Sequence, residues 1–322
     1  MISIFAFPKP FHGHIGIIQR NAIHSWKQLR PQCEIVLFGN EEGTADVAKE
    51  FHLCHVPDIA RNEFGTPLLS DVFEKGGKLA TYTIHCYVNC DIILPRELMS
   101  AVIQVSAWRA RFLLVGQCWG LDVRKPIAFD QATWAEDLRG LVSEQGVLRG
   151  LAAIDYFVFP RGLYQALPPF ALGRAKFDNW LVWRARNLRA PVVDATNVVF
   201  AVHQNHDYSH VAGGQDYTIY GQEAMQNLEY AGGVRHIYGI SDATHKLLPT
   251  GIWRHWRGCL RLEFRKAWLH SRRALVVARA MTIFWWFMER TRPVRHALGL
   301  HGKNLSRLKN LHRKNGRISR AA

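Results

Sequence analysis

Several familiar signatures are missing from this 322-residue sequence, and each absence removes a class of function. No Gly-x-Gly-x-x-Gly follows the first apolar run, and His12-Gly13-His14-Ile15-Gly16 is too loosely spaced to replace it, so the dinucleotide fingerprint is excluded. A Walker-type phosphate loop is also missing. The six cysteines, Cys33, Cys54, Cys86, Cys90, Cys118 and Cys259, contain no Cys-x-x-Cys pair. Most sit in apolar runs where a reduced thiol packs as a small hydrophobe, which fits a reducing cytoplasm. No internal repeat or low-complexity segment is present. The apolar tract Ala274–Met288 has 15 residues and contains Arg279, short of the roughly 20 apolar residues a membrane span needs. At the start, Met1–Phe7 is apolar without a basic leader and is cut short by Pro8 and Pro10, which reads as a first strand and not as a signal peptide.

Acidic residues are nearly missing from one end of the chain. Residues 252–322 hold 18 Lys and Arg against 2 Asp and Glu, whereas residues 1–251 hold 23 against 24. The formal charge of +15 therefore belongs to the tail and says nothing about chemistry in the front part. With 48% apolar residues the chain can bury a substantial core. The expected organisation is one large folded domain over 1–251 and a basic tail over 252–322.

Short β-rich runs alternate with helical stretches through the first hundred residues, the pattern of a parallel sheet covered by helices. Ile2–Phe7, Glu34–Phe38 and Leu53–Val56 read as strands, with helices over Ile15–Leu29, Thr44–Phe51 and Leu68–Lys78. The run Tyr82–Leu94 is the fourth strand. Further on, Phe112–Val115 and Tyr156–Phe159 read as strands, Gly173–Arg186 as a loop and helix, and Val192–His203 as another strand. The fold class expected is α/β, a mixed, mainly parallel Rossmann-like sheet flanked by helices, with a basic amphipathic helical extension.

Three clusters could carry chemistry. In Tyr87-Val88-Asn89-Cys90-Asp91-Ile92 a polar-x-polar pair interrupts an apolar strand. Amide and carboxylate oxygens two apart at a strand end can face a divalent cation and the diphosphate it neutralises, since hard cations take oxygen ligands; the alternative is a strand end with turn-forming Asn and Asp. The second cluster is Gly173-Arg174-Ala175-Lys176-Phe177-Asp178-Asn179-Trp180-Leu181, where an acid lies beside an amide and an aromatic, after two cations. The third is Val192–Thr196 leading into His203-Gln204-Asn205-His206-Asp207-Tyr208-Ser209-His210; imidazoles are common ligands of divalent metals.

In this order the clusters resemble bacterial GT-A-fold nucleotide-diphospho-sugar glycosyltransferases, with Asn89-Cys90-Asp91 as an Asn-x-Asp variant of their Asp-x-Asp motif and Ser241–His245 as a closing element. The resemblance covers about residues 1–250. It implies Asp91 as the direct ligand of Mn²⁺ or Mg²⁺, Asn89 assisting through a water or a ribose contact, and His206 or His203 completing the site. It also implies Asp178 as acid/base, with Arg174, Asn179 and Trp180 around sugar or acceptor. Phe7 and Pro8 would cradle the base, Arg61, Lys75 and Lys78 would neutralise diphosphate, and Trp119 would line an acceptor groove. Glu223 and Asn227, four apart, could share a helix face toward the site. The implied reaction is transfer from a nucleoside diphosphate sugar, with uridine as the expected nucleoside, to a glycan or lipid-linked acceptor; inversion and retention stay open. Rival readings are a nucleotidyltransferase, which should carry a Gly-rich basic loop after strand one, and a non-enzymatic adaptor built on the tail.

In the tail, Arg257, Arg261, Arg265, Arg272, Arg279 and Arg290 fall on one side of a 3.6-residue helix, with Phe264, Trp268, Phe284 and Trp285 on its flanks and back. A basic face opposed by aromatics suits a helix lying in an anionic membrane surface better than one in a nucleic-acid groove. The expected location is the cytoplasm, peripheral on the inner face of the membrane.

Overall fold

A computed structural model of the chain describes residues 1–207, 214–256, 258 and 260. The expected basic helix from Arg257 onward, and Tyr208, Ser209 and His210 of the third cluster, lie outside the described residues. The first half runs β1 (Ser3–Ala6), α1 (Gly13–Lys27), β2 (Glu34–Phe38), α2 (Thr44–Phe51), β3 (Cys54–Val56), α3 (Leu69–Leu79), β4 (Ile84–Val88), β5 (Ile92–Ile93), α4 (Glu97–Trp108), β6 (Leu113–Val115) and β7 (Trp119–Leu121). It continues with α5 (Trp134–Gln145), β8 (Val147–Leu148), β9 (Tyr156–Pro160), α6 (Phe177–Asn187), β10 (Val192–Asp194) and β11 (Val202–Gln204). The remaining elements are α7 (Gly214–Tyr220), α8 (Gln222–Tyr230), β12 (His245–Leu248) and β13 (Gly251–Arg254).

Among the described residues nine strands form the main sheet, in the order β13-β12-β10-β6-β9-β4-β1-β2-β3. It is a mixed, mainly parallel sheet flanked by helices, the fold class the sequence led to. Among these described strands, only β9 and β13 run against their neighbours. Side chains along each strand alternate between two cores, as a period of two requires. Ile4 and Ala6, Ile35 and Leu37, and Cys86 and Val88 face α1, α2 and α4. Phe5, Val36 and Phe38, and Tyr87 face α3 and α6. Burial on both faces is why these strands read as unbroken apolar runs.

Two expected strands are each broken in two, and the breaks build the site. The run Tyr82–Leu94 leaves the main sheet after Val88: the Asn89 amide donates to the Asp155 carbonyl (3.0 Å), and the Ile92 amide donates back to the Asn89 carbonyl (3.2 Å). The chain turns at this point and enters a second, four-stranded sheet as β5, in the order β5-β11-β7-β8. Likewise Val192–His203 is not one strand; β10 stays in the main sheet and β11 joins the small one. A third apolar cluster, including Ile93, Leu121, Val142 and Val202, seats the small sheet on α5.

Trp26 of α1 holds β5 in place. It is fully buried, and its indole N–H donates to the Ile92 carbonyl at 2.9 Å. Trp26→Phe keeps an aromatic ring but leaves that carbonyl unpaired, so it should cost about 1–3 kcal/mol, measured as a lowered urea midpoint with an unchanged slope.

Candidate functional site

The site lies at the carboxyl edge of the main sheet, where the chain leaves β1 and β4. Asp91 occupies the corner between β4 and β5, and its main chain is fixed from behind. The buried Gln204 side chain donates to the carbonyls of Asp91 (3.1 Å) and Ile18 (2.7 Å), and accepts from the buried Asn21 at 3.0 Å. Because β5 pairs with β11 antiparallel, with His203 opposite Ile92, the histidine cluster is delivered to Asp91 by sheet register.

The Asp91 carboxylate, His203 and His206 each offer a ligand atom, and these atoms lie within 4.8 Å of one another. The structure thus brings both candidate histidines to Asp91. The His206 ring settles its own tautomer: Nδ1 lies 2.5 Å from the Asp207 carbonyl, an obligatory acceptor, so Nδ1 carries a proton. With Nδ1 protonated, Nε2 accepts from Lys9 Nζ at 2.9 Å, and Asp91 Oδ2 lies 3.1 Å from the same nitrogen. In addition, Asp91 Oδ1 and His203 Nδ1 are buried without hydrogen-bond partners. Orphaned buried atoms of this kind are costly unless a ligand satisfies them. Two imidazoles and a carboxylate fit Mn²⁺, and less closely the harder Mg²⁺.

Electrostatics agree with this donor set. Burial pushes the Asp91 carboxyl up, but Lys9, His203 and His206 together outweigh it and hold the group well below the usual carboxylate range. His203 is shifted down, chiefly by burial, toward the neutral form that binds metal. Lys9, just past β1, reaches into the cluster with Nζ 2.9 Å from His206 Nε2 and 3.4 Å from Asp91 Oδ2.

A second acidic group adjoins the first. Asn89 does not face the cation atoms; its amide donates to Asp155 Oδ1 (3.0 Å), and Arg149 Nη1 donates to Asp155 Oδ2 (2.7 Å). Expected to assist through a water or a ribose contact, Asn89 instead ties Asp155 to the turn. Asp155 escaped the sequence reading because its position depends on strand direction: β9 runs antiparallel to β4, with Tyr156 opposite Val88, so the residue before β9 lies beside the end of β4. Asp178, in the first turn of α6, has a buried, unpartnered Oδ1. Burial, aided by the charge of Asp155 and opposed by backbone amides and Lys176, pushes its carboxyl up to about 6.

Around Asp178 the expected sugar contacts are corrected. Trp180 is 6% exposed and packs against Phe170 and Trp183, so neither face is open to a sugar ring. Asn179 is buried and donates to the carbonyls of Ala152 and Tyr238, which anchors α6. The Arg174 guanidinium is committed to Glu223 at 2.8 Å, and Asn227 bonds both polar groups of the Ala171 backbone; these two α8 residues pin the loop before Asp178. Trp119, expected in an acceptor groove, is half-buried against Phe200 at the edge of the third apolar cluster.

Phe7 and the buried Pro8 end β1 near the site, and the Arg61 guanidinium stands over the Phe7 ring at 5.9 Å while bonding Glu41. A methyl on Gly39 would fall 2.3 Å from the Phe7 ring, so that glycine makes room for it. Lys78 is not brought in. It pairs with Glu74 at the end of α3, which leads into the start of β4 and therefore lies at the opposite edge of the sheet. Lys75 is held by Asp71 and the Asp58 carbonyl. Sequence reasoning missed Lys9, Gln19, Asn21, Arg149, Asp155 and Gln204. The visible signal for Gln19 and Asn21 was two amides on an otherwise core-facing helix.

No protein-family model matches the chain, and a search of curated proteins found no match. Among solved structures it is similar to glucosyl-3-phosphoglycerate synthase from Mycobacterium tuberculosis, in complex with Mg²⁺ and uridine diphosphate, at 12% identity and a TM-score of 0.44 over 72% of this chain and 80% of that one. It is also similar to the mannosyltransferase PcManGT from Pyrobaculum calidifontis, in complex with GDP-Man and Mn²⁺, at 15% identity, TM-score 0.40, over 63% and 56% of the chains. A third is TarS 1–349 of S. aureus, at 13% identity, TM-score 0.30, over 38% and 37%. These similarities concern the fold; the chemistry rests on the residues above.

The raised Asp178 carboxyl has a stability consequence. Below the unfolded value of 3.8 the group is protonated in both states and costs nothing; between 3.8 and about 6 the unfolded chain ionises while the folded one keeps its proton, so the cost builds over that window and is complete above it. Asp178→Asn should therefore leave Tm nearly unchanged at pH 3.5 and raise it at pH 8, on the order of 5 °C. Thermal melts across that range check the sign.

Proposed function

We propose that this chain is a metal-dependent glycosyltransferase that moves a sugar from a nucleoside diphosphate sugar, a uridine donor in the first instance, to a glycan or lipid-linked acceptor. The observation that carries the reading is the meeting of Asp91, His203 and His206, with two orphaned buried ligand atoms, at the carboxyl edge of the sheet. Asp91, His203 and His206 would hold Mn²⁺ or Mg²⁺. A divalent cation there supplies charge neutralisation for a leaving diphosphate. Phe7, Pro8 and Arg61 form the adjoining wall on the nucleobase side. Asp178, ionised at neutral pH with a carboxyl raised to about 6, is suited to take a proton from an acceptor hydroxyl. The Arg149–Asp155–Asn89 chain holds the turn between these two acids.

Donor hydrolysis and transfer, followed with uridine diphosphate sugars in Mn²⁺, should fall on the order of 100-fold or more in EDTA and in Asp91→Ala. Activity unchanged under both conditions would defeat the metal-dependent reading.

The acceptor side of the proposal includes an anionic lipid surface. Among the described residues no helix is long and apolar enough to cross a membrane. Instead the edge hairpin β12–β13 leads to three exposed apolar side chains, Trp253, Trp256 and Leu260, with Arg254 stacked over Trp256 at 4.2 Å. Exposed tryptophans at the start of a segment with 18 cations and 2 acids suit an interface that is apolar below and anionic above. The full chain should cosediment with phosphatidylglycerol vesicles and be released by salt, and Trp253→Ser with Trp256→Ser should weaken binding about tenfold. Retention on duplex DNA with none on vesicles would reverse the assignment.

A further inference from the structure

Lys9 lies within the proposed cation site. The ammonium contacts the same two atoms, His206 Nε2 and Asp91 Oδ2, that belong to the proposed ligand set. With the His206 Nδ1 proton given to the Asp207 carbonyl, the ammonium supplies the hydrogen that separates the imidazole lone pair from the carboxylate. Its main chain is immobilised separately: the Lys9 amide donates to Gln19 Oε1 (2.6 Å) and Gln19 Nε2 donates to the Lys9 carbonyl (2.7 Å). Gln19 itself is buried in α1. The Lys9 side chain, by contrast, is 30% exposed, so its charged end has a way out while its backbone does not.

A divalent cation and this ammonium cannot share those atoms, since two cations there would repel at contact distance. The geometry points to Lys9 as a resident counter-cation: it holds the ligand set together when no metal is bound, is displaced by metal, and then pairs with the diphosphate beside it. This rests on the metal-dependent reading above and adds a role for a residue outside the proposed ligand set. Tethered at a fixed backbone position, the displaced ammonium stays next to the incoming cation, where an anionic leaving group offers it a new partner. Metal and diphosphate should therefore bind with positive coupling, each easing the entry of the other, and the coupling is reciprocal.

The role makes two binding constants move in opposite directions, which a merely structural lysine would not do. In titrations of the full chain, followed by calorimetry and by the Mn²⁺ electron paramagnetic resonance signal, Lys9→Met should bind Mn²⁺ alone about tenfold more tightly than wild type. In saturating Mn²⁺ the same variant should bind uridine diphosphate about tenfold more weakly. Lys9→Gln, which keeps a polar end, should shift both constants the same way, and circular dichroism melts verify that each variant is folded. Mn²⁺ affinity that is unchanged or weaker in folded Lys9 variants overturns the counter-cation role while leaving the metal site standing. Wild-type protein that binds no Mn²⁺, with or without uridine diphosphate, overturns both.

Discussion

The antiparallel pairing of β5 with β11 is the constraint on which the candidate site depends. Each strand is only two or three residues long, and alone such a pair would not persist. It is held by what surrounds it: Trp26 bonds the Ile92 carbonyl, Gln204 bonds the Asp91 carbonyl, and Ile93 and Val202 enter the third apolar cluster. Once this register is set, His203 and His206 have little freedom relative to Asp91, although more than a hundred residues separate them in the chain. A buried amide at position 204 thus does positional work that a hydrophobic residue there could not, because it satisfies two carbonyls and one side chain at once.

The two acids of the site are tuned in opposite senses by their surroundings. Burial raises both. At Asp91 a lysine and two imidazoles overcome it, so the carboxylate stays ionised and able to bind a cation. At Asp178 the neighbouring Asp155 adds to the burial penalty, so the group sits nearer neutrality and can exchange a proton. Divergent environments of this kind separate a charge-holding role from a proton-transfer role. Arg149 limits the effect by neutralising Asp155.

Much of the fold was legible because apolar runs in a doubly covered sheet are hard to mistake. Glu34–Phe38, Tyr156–Phe159 and Thr44–Phe51 stand where the pattern placed them. Composition could not show that Tyr82–Leu94 and Val192–His203 each contain a corner, since buried apolar residues stand on both sides of it. Asp91 was legible as a polar interruption at a strand end. Trp180 and Asn179 were misread because an acid-amide-aromatic string looks the same whether the aromatic faces a ligand or the core; helix phase decides, and it turns Trp180 inward. Arg174 looked available for phosphate until Glu223, about fifty residues away, came to meet it.

The sequence by itself determined the layered α/β architecture, the concentration of positive charge after residue 251 and the place of Asp91 as an acid at a strand end, because hydrophobic periodicity, charge and chain order are local properties. Tertiary structure alone decided which distant groups share its pocket. The direction of β9 brought in Asp155 and Arg149, the register of β11 brought in both histidines, and the end of β1 brought in Lys9. Strand direction and register depend on long-range pairing free energy, which no short window of residues contains.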